Sequence, residues 1–263
     1  MKKNIIFVFS GTGNSLWVAK KVSEELENCE IISMGSSKNY TLTDEYGVIG
    51  FVYPTYYRGI PAKVQDFVRK LDFQNNKDTY LFAIATCGSV GTACNATVQL
   101  RDLIKQKDIT LSYAEKLDMF SNYIIMYNMR DTVEEETRQS AHDLAPIIDN
   151  IKKRAVNQTE SRIKPIEHLI YKGFFHLAPH MDKHFNVSDA CIHCGICQKV
   201  CPVKNIDYGQ DKKPYFKHHC EQCLACLHHC PTNAINYKDK TQSRQRYTHP
   251  DISWKELAKI NGY

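Results

Sequence analysis

Nowhere in the 263 residues is there an apolar run long enough to cross a bilayer, which takes about 20 residues. The nearest stretch, HLIYKGFFHLAP, is short and carries Lys172 and two histidines. An export signal is not expected either. The opening MKKNIIFVFSGTGNS sets two lysines before an apolar run, but Ile5 to Phe9 is too short and Ser10-Gly11 breaks it. The expected location is the cytoplasm. There is no Gly-Lys-Ser/Thr of a Walker loop, and Leu16 stands where a G-x-G-x-x-G turn needs its third glycine. Ordinary nucleoside-triphosphate and dinucleotide fingerprints are thereby excluded. No helix is basic along one face and no aromatic–basic alternation occurs, so nucleic acid is not an expected partner. An overall acidic excess is absent too. Residues 1–160 hold 19 Lys+Arg against 20 Asp+Glu, and residues 161–263 hold 15 against 9. That basic second part is where an anionic group would be balanced. The 43% hydrophobic and 24% charged content is that of a globular protein able to bury a core.

Cysteine is what the chain has in excess. Of the 11, eight fall in two runs, CIHCGICQKVCP from Cys191 and CEQCLACLHHCP from Cys220. Without an export signal, clustered cysteines read as metal ligands rather than disulfides. In each run C-x₂-C-x₂-C wraps three corners of a cubane, and the fourth cysteine, before proline, points to the other cluster. The rule assigns Cys191, Cys194, Cys197 and Cys230 to one 4Fe–4S cluster, and Cys220, Cys223, Cys226 and Cys201 to a second. Structural zinc also uses CxxC pairs, but it requires neither the third cysteine nor the Cys-Pro, and both recur here. His193, His228 and His229 lie among these ligands. With four thiolates already completing each cluster, they read as solvated or hydrogen-bonding groups. Cys29, Cys87 and Cys94 are left over as small apolar residues, and Trp17, on a helical face, as a packing residue.

The first part alternates strand and helix patterns: NIIFVF, SLWVAKKVSEEL, EIISM, YGVIGFVYP, AKVQDFVRKL, YLFAIAT, NATVQLRDLIKQ, a strand near TLSYAEKLDMF, and a helix from Val133 to Arg154 that Pro146 could kink. Such alternation predicts an α/β fold, a parallel sheet covered by helices on both faces. Its ligand then lies at the carboxyl ends of the strands. Three loops fall there. FSGTGNS follows the first strand and opens a helix. Ser10, Thr12, Asn14 and Ser15 offer donors and Gly11 and Gly13 allow close approach, which suits a terminal phosphate. YPTYYRGIP follows the third strand and contributes Pro54, Thr55, Tyr56, Tyr57, Arg58 and Gly59. TCGSVGTA follows the fourth and contributes Thr86, Cys87, Gly88 and Gly91. Tyrosine faces and backbone brought close by glycine are what an isoalloxazine ring needs. All three loops lie within residues 1–160, which are therefore expected to bind flavin unaided. VNQTESRIKP reads as a linker, and the apolar 166–185 segment as an interdomain helix. VKNIDY and TNAINY, after the cysteine runs, read as short strands of a pseudo-twofold module.

On these residues the chain resembles the flavodoxin–ferredoxin fusions. FSGTGNS is similar to the flavodoxin phosphate loop, the cysteine runs to bacterial-type ferredoxin, and PTYYRGIPAKV and RYTHP extend the likeness over nearly the whole length. The resemblance implies a doubly wound five-stranded flavodoxin-like sheet over 1–160. A linker and helix would span 161–186, and a small α+β two-cluster ferredoxin-like domain 187–263. It implies FMN beside two 4Fe–4S clusters and electron transfer between low-potential redox protein partners. The TYYRGIP loop and the missing acidic excess depart from ordinary flavodoxins, so potentials and partner surface do not carry over. The rival expectation is a flavin-dependent reductase of a quinone, nitro compound or other small acceptor, fed by the clusters. Such a reductase would need a substrate cavity over the flavin, which the tyrosine-rich loop either lids or fills.

Overall fold

A computed structural model describes residues 2–35, 39–92, 95–157, 162–210 and 212–263. Cys94 and the expected boundary at 160/161 lie outside the described residues. The first part builds one sheet from β1 (Lys3–Val8), β2 (Cys29–Ser33), β3 (Tyr46–Pro54), β4 (Tyr80–Cys87) and β5 (Tyr113–Asp118). All four pairings are parallel and the order is β2-β1-β3-β4-β5. This is the doubly wound order of flavodoxin-like folds, with its switch point between β1 and β3. Every residue of β4 is buried, as a central strand covered on both faces must be.

The helices are α1 (Asn14–Glu25), α2 (Ala62–Lys70), α3 (Ala96–Lys105) and α4 (Val133–Lys152). α2 and α3 cover one face, where Phe7, Phe51, Phe67 and Leu100 form the core. α1 and α4 cover the other, and α4 runs on through Pro146. Among the described residues no helix is long and apolar enough to cross a membrane.

The second part opens with α5 (Pro165–Leu177). Two antiparallel ribbons follow: β6 (Phe185–Val187) pairs with β9 (Ile235–Tyr237), and β7 (Ile206–Tyr208) with β8 (Pro214–Phe216). Two one-turn helices, α6 (Ile196–Lys199) and α7 (Ala225–His228), carry the cysteines, and α8 (Trp254–Ile260) ends the chain. VKNIDY and TNAINY do supply strands, β7 and β9, but each pairs with a different partner strand.

The two parts share a core. Val200, Ala225, Ile252 and Leu257 pack with Ile6, Val8 and Val18 under the sheet. The tail is fastened to α1: Trp17 Nε1 donates to Asp251 at 3.1 Å, and Lys20 pairs with Glu256 at 2.6 Å. Trp17 also stacks on His249, with ring centroids 4.9 Å apart. Leu257→Ala should therefore destabilise the whole chain by about 2–5 kcal/mol, the usual range for a buried leucine. Thermal unfolding read at the cluster and flavin absorptions should show both moving together. A lowered transition at the clusters alone would mean that the parts unfold independently.

Candidate flavin and iron–sulfur site

A cavity of about 560 Å³ opens at the carboxyl edge of the sheet. Its floor is the turn between β1 and α1, where Ser10, Gly11, Thr12, Asn14 and Ser15 line it. Among the described residues, nothing accepts from the backbone N–H groups of Ser10, Gly11, Thr12 and Gly13. Four amides gathered at a helix N-terminus suit a phosphate. The side chains are less free than the sequence implies. Asn14 donates to the Phe120 carbonyl at 3.2 Å and accepts from Tyr247 Oη at 2.7 Å. Thr12 Oγ1 accepts from Asn122 at 2.9 Å, and Ser15 Oγ lies 2.8 Å from Thr86 Oγ1. The loop is held by its neighbours and presents backbone.

One wall comes from the second loop: Pro54, Thr55, Tyr56, Tyr57 and Arg58. The tyrosines stand along the wall and leave the cavity open. Tyr56 lies edge-on to Phe9, and Tyr57 stacks on Phe174 of α5 at 4.4 Å and 2°. Thr86, Cys87 and Gly88 line the opposite side. Burial and the nearby Asp118 carboxylate push the Cys87 thiol up, which makes it unreactive.

Three expected residues are not on the cavity wall, and each has a structural reason. A Cβ at Gly13, whose φ is +105°, would come within 2.9 Å of His249 Cβ, so this glycine admits the C-terminal tail. Gly59 is crowded by Gln99 and Tyr171 rather than by the cavity. Gly91 lies in a short turn outside the lining.

Much of the remaining wall escaped sequence reasoning. Phe120, Ser121, Asn122 and Tyr123 follow β5, and the strand-end rule that found the other loops reaches them as well. Ile170 and Phe174 come from α5, Gln222 and Cys223 from the second cysteine run. The 1–160 segment therefore lacks one side of the cavity.

The thiols form two sets around two small voids. Cys191, Cys194, Cys197 and Cys230 line one. Cys201, Cys220, Cys223 and Cys226 line the other. Each Cys-Pro cysteine accepts from the backbone N–H four residues on, Asn205 to Cys201 and Ala234 to Cys230, both at 3.2 Å. Among the described residues no three His, Cys, Asp or Glu side chains converge on a point that could hold a single metal ion. Burial pushes the Cys197 thiol up to about 11 and that of Cys223 up to about 12. Such sulfurs stay protonated unless a metal takes the proton's place.

The histidines stand outside both sets of four. His193 Nδ1 lies 2.7 Å from the Lys212 carbonyl. Burial holds the His228 imidazole neutral, its pKa pulled down to about 3. It accepts from Tyr247 N–H at 3.1 Å, which leaves Nε2–H to donate to the Asn122 carbonyl at 2.9 Å. Burial likewise pulls His229 down to about 4.

The two sites touch. A Cβ at Gly11 would stand 2.9 Å from Cys223 Cβ and 3.4 Å from its Sγ, so only glycine lets the turn between β1 and α1 approach this thiol. A flavodoxin-like sheet joined to such a thiol module defines an iron–sulfur electron-transfer protein. Residues 183–231 match the 4Fe-4S dicluster domain family. An uncharacterized ferredoxin from Methanocaldococcus jannaschii is 37% identical over 54 residues, which cover 19% of this chain and 70% of that protein. The chain belongs to the ferredoxins through this segment, fused behind a flavodoxin-like unit. Among solved structures it is similar to an azoreductase from Bacillus anthracis, with a TM-score of 0.39 and 11% identity over 56% of this chain and 99% of that one. An NAD(P)H:quinone oxidoreductase from Methanothermobacter marburgensis gives a TM-score of 0.38 and 12% identity over 60% and 98%. At these values the two likenesses have no bearing on the chemistry; the strand order carries the fold.

Proposed function

We propose that the chain is an intramolecular electron relay between FMN and two 4Fe–4S clusters in the cytoplasm. Residues 1–160 would form the flavin unit, 161–186 the connecting helix and 187–263 the cluster unit. FMN supplies a two-electron centre able to exchange electrons singly, and the clusters supply one-electron centres. The observation that carries the reading is the position of Cys223, which lines the large cavity and also belongs to the set of four around the neighbouring void.

The residues fit these groups. The Ser10, Gly11 and Thr12 amides bind the phosphate, and the Tyr57–Phe174 stack gives the ring flat apolar cover. Thr55 and Gln222 line the same cavity. Cys201, Cys220, Cys223 and Cys226 hold the cluster beside the flavin. Cys191, Cys194, Cys197 and Cys230 hold the outer one. Cys194 and Ile192 are exposed, so a redox protein partner reaches the outer cluster there. One observation favours a second reading, reduction of a small apolar acceptor: the cavity opens past Met126, which is 71% exposed.

Protein purified anaerobically should carry about eight iron and no zinc, as two cubanes require, with FMN equimolar to the chain. Iron, zinc and flavin analysis checks this. Zinc in protein made under iron-replete conditions, or no flavin after incubation with FMN, would overturn the reading.

A further inference from the structure

Helix α5 is apolar on two sides. Tyr171 is buried, and its hydroxyl donates to the Ile60 carbonyl at 2.7 Å. Phe174 stacks on Tyr57 at the cavity. On the side away from Tyr171, Ile166, Leu169 and Leu177 are 75%, 73% and 60% exposed. Ile170 is exposed beside them and lines the mouth of the cavity. At 3.6 residues per turn these four and Gly173 fall within an arc of about 100°. Met126 and Tyr127 are exposed as well and line the same cavity as Ile170. A helix on one core needs a single apolar face. The second leaves a continuous apolar stripe in water, which marks a surface that meets something else.

Charge decides what that is. Residues 162–184 hold Arg162, Lys164, Lys172 and Lys183, all exposed, against only Glu167 and Asp182. Both carboxylates are taken. Glu167 pairs with Arg58, and the buried Asp182 lies 2.7 Å from His218 Nδ1. The helical spacing puts Lys172 and His176 on one flank of the stripe, next to Leu169. A second copy of the chain suits this face poorly. An antiparallel two-fold contact sets each flank against itself, and Lys172 would stand near its own copy. At 13 residues the helix is too short to cross a bilayer. An apolar stripe flanked by cations lies instead in the interface of an anionic membrane. The geometry points to α5 and the Met126–Tyr127 rim as a surface that docks on anionic lipid. Ile166, Leu169 and Leu177 enter the acyl boundary, and Lys172 sits at the headgroup phosphates. Tyr127 suits that depth, since tyrosine favours the membrane–water interface. The mouth of the cavity then opens onto the lipid, where an apolar acceptor dissolves. The docking does not depend on what the cavity holds.

The test floats the full chain, purified anaerobically, with vesicles of phosphatidylcholine alone or mixed with phosphatidylglycerol. The chain should partition onto the mixed vesicles, weakly onto the neutral ones, and come off in high salt. Lys172→Gln should weaken partition about fivefold, the usual share of one cation at an anionic surface. The triple change Ile166→Gln, Leu169→Gln and Leu177→Gln should weaken it at least tenfold, because the buried apolar area sets the strength. None of these three lines the cavity, and all are exposed, so iron content should stay as it is. Equal partition of the unaltered chain onto neutral and anionic vesicles overturns the proposal, whatever the variants do. A triple variant that floats as well as the unaltered chain also overturns it. No partition onto either vesicle leaves the stripe to a protein and overturns it too. In that case, a dimer in sedimentation that the triple change converts to monomer would identify the protein as a second copy.

Discussion

Replacing Cys230 with alanine is expected to destroy the cluster held by Cys191, Cys194 and Cys197 and to spare the one nearer in sequence. Cys230 lies four residues beyond Cys226 in the chain, yet it lines the void of the first run, as Cys201 lines that of the second. Charge at Cys230 is felt at Cys197, and charge at Cys201 is felt at Cys220, Cys223 and Cys226. The chain crosses over because each fourth cysteine leaves a one-turn helix, and proline then turns it away. Iron should fall from about eight to about four per chain, and anaerobic spectroscopy should retain the signal of the inner cluster. Loss of that inner signal with the outer one intact would reverse the assignment.

The crossing is legible in the sequence because spacing alone encodes it. The sheet is legible for a similar reason: a strand covered on both faces must be apolar throughout, and NIIFVF, YGVIGFVYP and YLFAIAT are nearly so. The loop proposed to take the phosphate is visible as glycine and hydroxyl residues between a strand and a helix. What its residues do is less visible. Asn14 and Gly13 look like phosphate-loop residues, but their sides meet Tyr247 and the His249–Ile252 turn, more than 230 positions away. Such contacts leave no local period or motif. The Gln222 wall is hidden in the same way, since a residue between two cluster ligands reads as spacer until the fold brings the spacer to the flavin cavity. Tyr57 was recognisable as an aromatic wall residue, whereas its stacking partner Phe174 lay in a segment with only a helical apolar pattern to mark it.

Electron exchange between flavin and clusters is expected to proceed at a rate independent of protein concentration. If a flexible tether joined the parts, the linker would set an effective concentration and encounters would limit the rate. Here α5 and the tail are built into the walls and core of the flavodoxin-like unit, so no encounter is needed. Gly11 and Cys223 are already in contact. Anaerobic stopped-flow, reducing one centre and following the other over a tenfold range of protein concentration, checks this. A rate that rises in proportion would mean that each part serves other molecules. The same packing carries a stronger expectation for residues 1–160 alone. That fragment loses the Gln222–Cys223 wall, the Phe174 face over Tyr57, and Ile252 and Leu257 from beneath the sheet. Burying Ile252 and Leu257 alone is worth roughly 1.5–3 kcal/mol each, a large share of a domain's usual stability of about 5–15 kcal/mol. The fragment should therefore unfold at lower denaturant and bind FMN at least tenfold more weakly than the full chain. Equal affinity and equal stability would show that the flavin unit is complete by residue 160 and that the shared core is incidental.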